Sequence, residues 1–278
     1  MKKSYQLIAL SALLWGLSCS VRAEVPTRFA PEAEGPVVTI RTTLGTMKLR
    51  LYADVPRHTQ TFLARARKGD FNGTLFTRVI REFMIQGGAP DSKQAPPGAR
   101  CGFGDASAEI LPELNATYFH KRGALAAPRQ NDEVNPQQKS DMSQFFIVQG
   151  KVYRPGELDT LERIQNQSIR KKALDLYYRP VRVELQMLKR ENPREFNKRV
   201  AVINQQIDSM IRATPGHLIF TPRQREAYTT VGGCPFLDGT YTVFGELMEG
   251  FDVLDAIASQ PKDRYDRPLK DVRILGVE

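Results

Sequence analysis

The sequence predicts a mainly β protein, largely antiparallel, with an α-helical hairpin inserted in its second half. Three observations predict it. Short apolar runs bounded by turns lie at 37–52, 75–89, 143–149, 241–245 and 272–277, the pattern of strands in a sheet. Few helical stretches accompany them, at 56–69 and 252–257, so helices cover the sheet and do not alternate with its strands. Between 151 and 230 the character changes, and apolar residues recur at helical spacing.

At the N-terminus, Lys2 and Lys3 precede an apolar run, Leu7–Leu17, that is too short to span a bilayer. Residues 1–23 therefore read as a secretory signal peptide. Two cleavage sites fit. Val21-Arg22-Ala23 carries small residues at the offsets of ordinary signal peptidase and leaves Glu24 first. Leu17-Ser18-Cys19 is similar to a lipoprotein box that would acylate Cys19 and attach the chain to a membrane, although Gly16 stands where that pattern prefers Leu. Either route places the protein in the periplasm or cell envelope. Residues 24–35, rich in Pro, Ala and Glu, read as a linker.

The β domain is expected over 36–150 and 215–278, with the insertion at 151–214. Val37–Arg41 and Met47–Tyr52 alternate around Leu44-Gly45-Thr46, a hairpin with glycine at the turn. Pro56 opens a helix that ends at Gly69, with Phe62, Leu63 and Ala66 toward the sheet. Leu75–Ile80 and Phe83–Ile85 then form two strands around a charged turn at Arg81-Glu82. The polar content of this stretch sets it apart, because Arg78 lies inside the first run and Gln86 closes the second. An arginine in a half-buried strand loses solvation unless its charge is used, either by an ion pair on the polar face or by function. Asp91–Ser107 is a long, turn-rich loop of the sort that carries function. Its Gly102-x-Gly104 follows no strand and lacks a third glycine, so it is not a phosphate-binding loop. Phe119–Ala127 is a charged turn into an apolar strand, Pro128–Asp141 a polar loop, and Ser143–Gln149 a buried strand.

In the insertion, Leu174, Tyr177, Tyr178, Val181, Leu185 and Leu188 form one stripe, which Pro180 must kink or divide. Asn192-Pro193-Arg194-Glu195 caps a second helix striped by Phe196, Val200, Ile203, Ile207, Met210 and Ile211. Two such helices in series give an antiparallel hairpin. Thr221–Gln224 caps a further short helix ended by Gly232-Gly233. Tyr241–Gly245, Asp252–Ile257 and Val272–Val277 follow as strand, helix and strand.

The formal charge is +9, from 40 basic and 31 acidic residues, and residues 151–230 hold 16 of the former and 9 of the latter. Basic residues are not interleaved with aromatics into a patch, so no nucleic-acid partner is expected. Two readings of the hairpin stay open: a solvated helix pair with its charges outward, or a basic surface that recruits an acidic client or an envelope surface. Cys101 and Cys234 allow a disulfide in an oxidising compartment, but nothing in the sequence brings them together, and two buried free thiols is the preferred reading. No spacing of Cys, or of His58, His120 and His217, suggests a metal.

Three blocks, Phe76-Thr77-Arg78-Val79-Ile80 with Phe83-Met84 and Gln86-Gly87-Gly88, then Met142–Val148, then Phe236–Gly245, resemble in order the signature of cyclophilin-type peptidyl-prolyl cis-trans isomerases. The resemblance covers 36–150 and 233–278. It implies a closed eight-stranded β-barrel capped by two helices, with the insertion in a loop. It implies catalysed rotation about Xaa-Pro bonds of unfolded or extended extracytoplasmic polypeptides, by a monomer that needs no cofactor and no metal. Arg78 would be the donor to the substrate carbonyl and imide nitrogen. Phe83, Met84, Phe146 and Leu237 would line an apolar slot for the proline ring. Gln86 would bond the substrate backbone and help orient Arg78. Three positions depart from the family pattern. Phe236 stands where Trp is frequent, which keeps an apolar wall, removes an indole donor and implies weak cyclosporin binding. Tyr241 stands where His is frequent and still offers a hydrogen bond at the pocket rim. Pro128-Arg129 stands where Ala-Asn is common, and Arg129 would meet the substrate backbone. The alternative is a client-binding chaperone module that works through the basic hairpin with little isomerase activity.

Overall fold

The computed structural model describes residues 35–214 and 216–278; residues 1–23, read as a signal peptide, with Cys19, and nearly all of the stretch read as a linker, 24–35, lie outside the described residues. The first hairpin forms as the alternation requires. β1 (Val37–Thr42) and β2 (Gly45–Leu51) pair from Val37↔Arg50 to Thr42↔Gly45, burying Val38, Ile40, Met47 and Leu49. Gly45 sits at φ 137°, where a side chain would be strained and would also meet Val253 Cγ2 at 2.6 Å.

Helix α1 (Pro56–Arg67) begins with proline in its first turn, and Val55 offers no side-chain cap. Glu113 supplies the anion instead, accepting from Arg57 N at 3.2 Å and His58 N at 2.9 Å. The buried His58 ring is held by Glu113 Oε2 at 2.7 Å and Ser140 Oγ at 2.9 Å. Burial lowers the His58 pKa from its ordinary value. Burial alone would raise the Glu113 pKa, but hydrogen bonds from His58 and Arg57 outweigh it and leave that carboxyl lowered. Both shifts act in one direction. In acid the unfolded chain takes up protons that the native chain refuses, so the stability these groups give is complete above the ordinary histidine pKa of 6.5 and is lost as pH falls through the lower native values. The melting temperature is expected to fall between about pH 7 and about pH 5, and His58→Gln should flatten that part of the profile in calorimetry. An unchanged slope in the variant would remove His58 from the explanation.

The remaining barrel strands are β3 (Phe76–Ile80), β4 (Met84–Gly87), β6 (Ala124–Ala126), β8 (Phe145–Val148), β9 (Val243–Glu249) and β10 (Ile274–Val277). A short ladder of β5 (Glu109–Ile110) and β7 (Ser140–Asp141) stands apart from them. The eight-stranded sheet runs β10-β1-β2-β9-β6-β8-β4-β3, with every pair antiparallel. A Leu75↔Arg273 bridge and the bonds Phe76 N to Val272 O (2.9 Å) and Ile274 N to Thr74 O (2.8 Å) join its two ends. The sheet thus curls into a barrel whose edges are covered. Val79, Ile85, Ile147 and Leu125 stand in register across β3, β4, β8 and β6, all fully buried in the interior. Phe62 of α1 lies 5.0, 5.6 and 5.5 Å from the rings of Phe71, Phe145 and Phe244. Truncating such a side chain costs about 3–5 kcal/mol. Helix α7 (Phe251–Ala258) covers the barrel with Val253, Leu254 and Ile257.

The inserted hairpin has its own small core. Its first arm is divided at Pro180 into α3 (Gln167–Tyr177) and α4 (Arg182–Glu191), and α5 (Pro193–Ala213) is the second arm. Ala173, Leu185, Ile203, Ile207 and Ile211 are buried between them. The caps are those the sequence predicts: Asn192 accepts from Glu195 N, and Thr221 with Gln224 makes a capping box for α6 (Pro222–Thr230). One element was not expected. Helix α2 (Pro155–Gln165) precedes the hairpin and buries Leu158 with Phe119, Tyr153, Phe220, Ala227 and Tyr228, so α2 and α6 share a separate apolar cluster. Leu158 alone is buried on α2, too little to make a helical stripe legible.

Candidate active site

Strand pairing sets the site. Arg78 on β3 stands opposite Gln86 on β4, and Gln86 stands opposite Phe146 on β8. Residues directly opposite project from the same face. Their neighbours Val79, Ile85 and Ile147 face the interior, so this row lies on the outside of the barrel. The register slips between Phe76 and Arg78, a local irregularity of the kind that re-aims a side chain.

Loops wall the row into a cavity of about 530 Å³. Its floor and sides include Arg78, Phe83, Met84, Gln86, Phe146, Leu237, Tyr241 and Arg129, and the long loop adds Arg100, Gly102 and Phe103. Met84 and Phe146 are buried, while the Arg78 side chain is 44% exposed. Eight of the nine side chains expected from the sequence are therefore brought together. Phe236 is the ninth and differs: it is half exposed and packs its ring 5.5 Å from that of Phe83 without lining the cavity. The turn Pro235–Leu237 points its buried Leu237, not Phe236, at the cavity.

The hydrogen bonds also differ from expectation at two places. Gln86 Nε2 donates to Gln144 Oε1 at 3.0 Å, and Asp141 Oδ2 accepts from Gln144 Nε2 at 2.8 Å. The ion pair of Arg78 is with Asp266, Nε to Oδ2 at 3.5 Å, and Lys262 bonds the same carboxylate at 2.7 Å. Asp266, and not Gln86, is thus the polar partner that sets Arg78. No side chain or backbone acceptor among the described residues takes a hydrogen bond from the Arg78 guanidinium, whose Cζ lies 5.7 Å from the Phe83 ring. Arg129 is committed internally: Nε donates to Thr240 O at 2.8 Å, Nη1 to Gln130 O at 3.0 Å and Asp132 Oδ1 at 2.5 Å, and the guanidinium stacks 4.8 Å over Tyr241. It holds the loop that carries Tyr241. The Tyr241 ring meets Phe146 edge-on at 6.0 Å, and its hydroxyl has no partner among the described residues.

Behind Leu237 lies a polar network that sequence reasoning missed. Asp238, adjacent to Leu237, accepts from His120 N and Nδ1 (both 2.9 Å), Gln224 Nε2 (3.1 Å) and Tyr228 Oη (2.7 Å). Burial, followed by the Asp238 charge, raises the Tyr228 pKa well above that of a free tyrosine. Cys234 is no nucleophile: burial pushes its thiol far above the ordinary range, and Sγ donates to Phe83 O at 3.3 Å. Both Cys101 and Cys234 are free. Among the described residues no group of three His, Cys, Asp or Glu side chains could hold a metal.

The family model for cyclophilin type peptidyl-prolyl cis-trans isomerases matches residues 37–169 and 220–278. The chain belongs to the cyclophilin family. Its unmatched stretch, 170–219, contains α4, α5 and α3 from Arg170 onward, whereas α2 falls within the match; the insertion expected from the sequence is 151–214. A putative peptidyl-prolyl cis-trans isomerase of Staphylococcus saprophyticus is 28% identical over 240 residues, covering 86% of this chain and 89% of the relative. A putative bifunctional phosphatase/peptidyl-prolyl cis-trans isomerase of Streptococcus pyogenes is 28% identical over 247 residues, 88% of this chain; the chain spans 38% of that relative's length. A crystal structure of a cyclophilin type isomerase from Cryptosporidium parvum aligns over 87% of this chain and 94% of its own, with a TM-score of 0.49 and 18% identity.

This cyclophilin is a peptidyl-prolyl cis-trans isomerase, and its substrates are proline-containing polypeptides. The reaction breaks no covalent bond. Its barrier, about 18–20 kcal/mol, is the loss of amide resonance as the C–N bond twists. An enzyme lowers it by binding the twisted form more tightly than either planar isomer. An apolar slot that grips the ring and a fixed donor near the imide nitrogen are sufficient parts, and neither requires a nucleophile or a cofactor.

Proposed function

We propose that this cyclophilin isomerises Xaa-Pro bonds of extracytoplasmic polypeptides in the outer-face cavity, with Arg78 as the donor. The observation that carries the reading is the cross-strand row Arg78–Gln86–Phe146. Phe146, Met84, Leu237 and Phe83 hold the proline ring, an apolar body that gains from leaving water. The Arg78 guanidinium presents N–H groups in a rigid fork. It bonds the substrate carbonyl in the planar state and the imide nitrogen lone pair as that nitrogen becomes pyramidal. Gln86, steadied by Gln144, and the Tyr241 hydroxyl bond the substrate backbone on either side. Asp266 keeps Arg78 over the pocket without taking its donors. The basic residues Lys2 and Lys3 before the short apolar run Leu7–Leu17 support export, to where unfolded chains arrive after crossing the membrane.

The test is exchange spectroscopy on an Xaa-Pro tetrapeptide with the protein present in catalytic amounts. Cis-trans exchange is expected to rise well above the uncatalysed rate, which is one event in tens to hundreds of seconds. Phe146→Ala should raise KM more than it lowers kcat, because the ring grip acts on ground and transition states alike. An unaltered exchange rate with the wild-type protein would overturn the assignment of the cavity. Mass spectrometry of the exported protein reads the location separately: a first residue of Glu24, or an acylated Cys19, supports export, and an intact Met1 in the cytoplasmic fraction opposes it.

A further inference from the structure

The hairpin holds a second concave surface, made entirely by residues outside the proline cavity. It lies where α2, α3 and α4 meet around the Pro180 break and encloses about 700 Å³. Arg163, Arg170, Lys171, Arg179 and Arg182 converge on it. Its apolar surface comes from Leu174, from Ile164 at 58% exposure and from Tyr178 at 38%.

The charge there is not relieved. The one carboxylate lining the groove, Asp175, is already paired with Arg179 at 2.8 Å. Arg163, Arg170, Lys171 and Arg182 have no acidic partner among the described residues. Clustered like charges destabilise a helix, and a sequence shaped by helix stability alone would intersperse acids. Elsewhere on the hairpin some cations are paired, Lys198–Glu195 at 3.4 Å and Arg199–Glu184 at 4.0 Å, whereas Lys172, Arg190, Arg194 and Arg212 have no carboxylate partner among the described residues and do not line the groove. Four uncompensated cations, Arg163, Arg170, Lys171 and Arg182, thus line one groove, where apolar side chains also stand in water. Arg170, Lys171 and Arg182 fall in the stretch that the family match leaves out, 170–219, so three of the four are no part of the shared barrel; Arg163 on α2 falls within the match. A concave groove with cations around an apolar strip fits an extended chain whose side chains alternate between carboxylate and apolar. A flat bilayer cannot enter it.

We infer that this groove binds an acidic segment of an unfolded polypeptide. Carboxylates of the segment meet Arg163, Arg170, Lys171 and Arg182, and an apolar side chain meets Ile164 and Tyr178. That the bound chain is also a substrate rests on the isomerase reading above. Holding a client at the hairpin raises the effective concentration of its prolines at the barrel, as any tethered pair of sites does.

The experiment measures fluorescence anisotropy of a labelled, proline-free peptide of alternating Glu and Leu. The wild-type protein is expected to bind it, with affinity that falls as salt rises. Arg170→Glu/Arg182→Glu should weaken binding by about tenfold or more. Isomerisation of a short neutral proline peptide should be equal in both proteins, which separates this site from the cavity and shows that the barrel is folded. Should the reversal disturb the helices by circular dichroism, Arg163→Gln/Lys171→Gln is measured in its place and should weaken binding severalfold. Equal peptide affinity in wild type and variant overturns the proposal. So does binding of phosphatidylglycerol vesicles without binding of the peptide.

Discussion

Arg78→Ala is expected to lower kcat/KM for an Xaa-Pro peptide by about 10²–10³-fold, the effect of deleting one preorganised donor aimed at charge that develops in a transition state. Most of the loss should fall in kcat, because the planar substrate has no free lone pair on nitrogen for the guanidinium to meet. Arg78→Lys should recover little: an ammonium keeps the charge but not the fork, and its shorter, rounder head cannot serve carbonyl and nitrogen together. Stability should change by less than about 1 kcal/mol, since the side chain is 44% exposed and its pair with Asp266 is a surface one. Equal turnover by wild type and Arg78→Ala, with both folded, would place the catalytic donor elsewhere, and Arg100 in the opposite wall would be the next candidate.

The row Arg78–Gln86–Phe146 was legible through the resemblance, because its members lie in short unbroken blocks similar to the family signature; strand pairing then sets them opposite one another. Once β3, β4 and β8 pair in register, the side chains that could grip a proline ring must share a face. The partners of those side chains were not legible. Asp266 reaches Arg78 from the loop before β10, in a left-handed conformation at φ 65°, and no local pattern near Asp266 marks it. Gln144 stood inside a recognised block, yet its bond to Gln86 depends on the turn after β7, not on strand spacing. Phe236 was assigned through the resemblance, as standing where Trp is frequent, but a single 3-10 turn rotates neighbours to different sides, and burial went to Leu237. Arg129 looked free in sequence because nothing there shows that Thr240 O and Asp132 would take its donors. The stripes and caps of the hairpin made its helices legible, and α2 was not, because only Leu158 of it is fully buried and Leu161 packs beside it in part.

Asp238→Ala is expected to be the most destabilising change at the site, by about 3–5 kcal/mol. The carboxylate is inside the protein, with its side chain 7% exposed, and it accepts four hydrogen bonds from His120, Gln224 and Tyr228. Removing it strands each of those donors, and a buried donor left without an acceptor costs about 1–3 kcal/mol. The His120 ring suffers most, because among the described residues its Nε2 has no partner and Asp238 is its only polar anchor. The loss reaches the pocket by two routes. Leu237 precedes Asp238 in the chain, and His120 lies 6.1 Å from the Phe146 ring and 6.3 Å from that of Tyr241. The melting temperature should drop by about 10 °C, and KM for a proline peptide should rise as the Leu237 wall loosens. Tyr228→Phe supplies the comparison. It removes one donor and leaves the carboxylate with three, so it should cost about 1–2 kcal/mol and spare KM. If the two variants melt together, Asp238 is not the knot that fastens α6 to the wall of the cavity, and the coupling of the hairpin's base to the isomerase pocket must run through the apolar cluster of Phe119, Tyr153 and Phe220 instead.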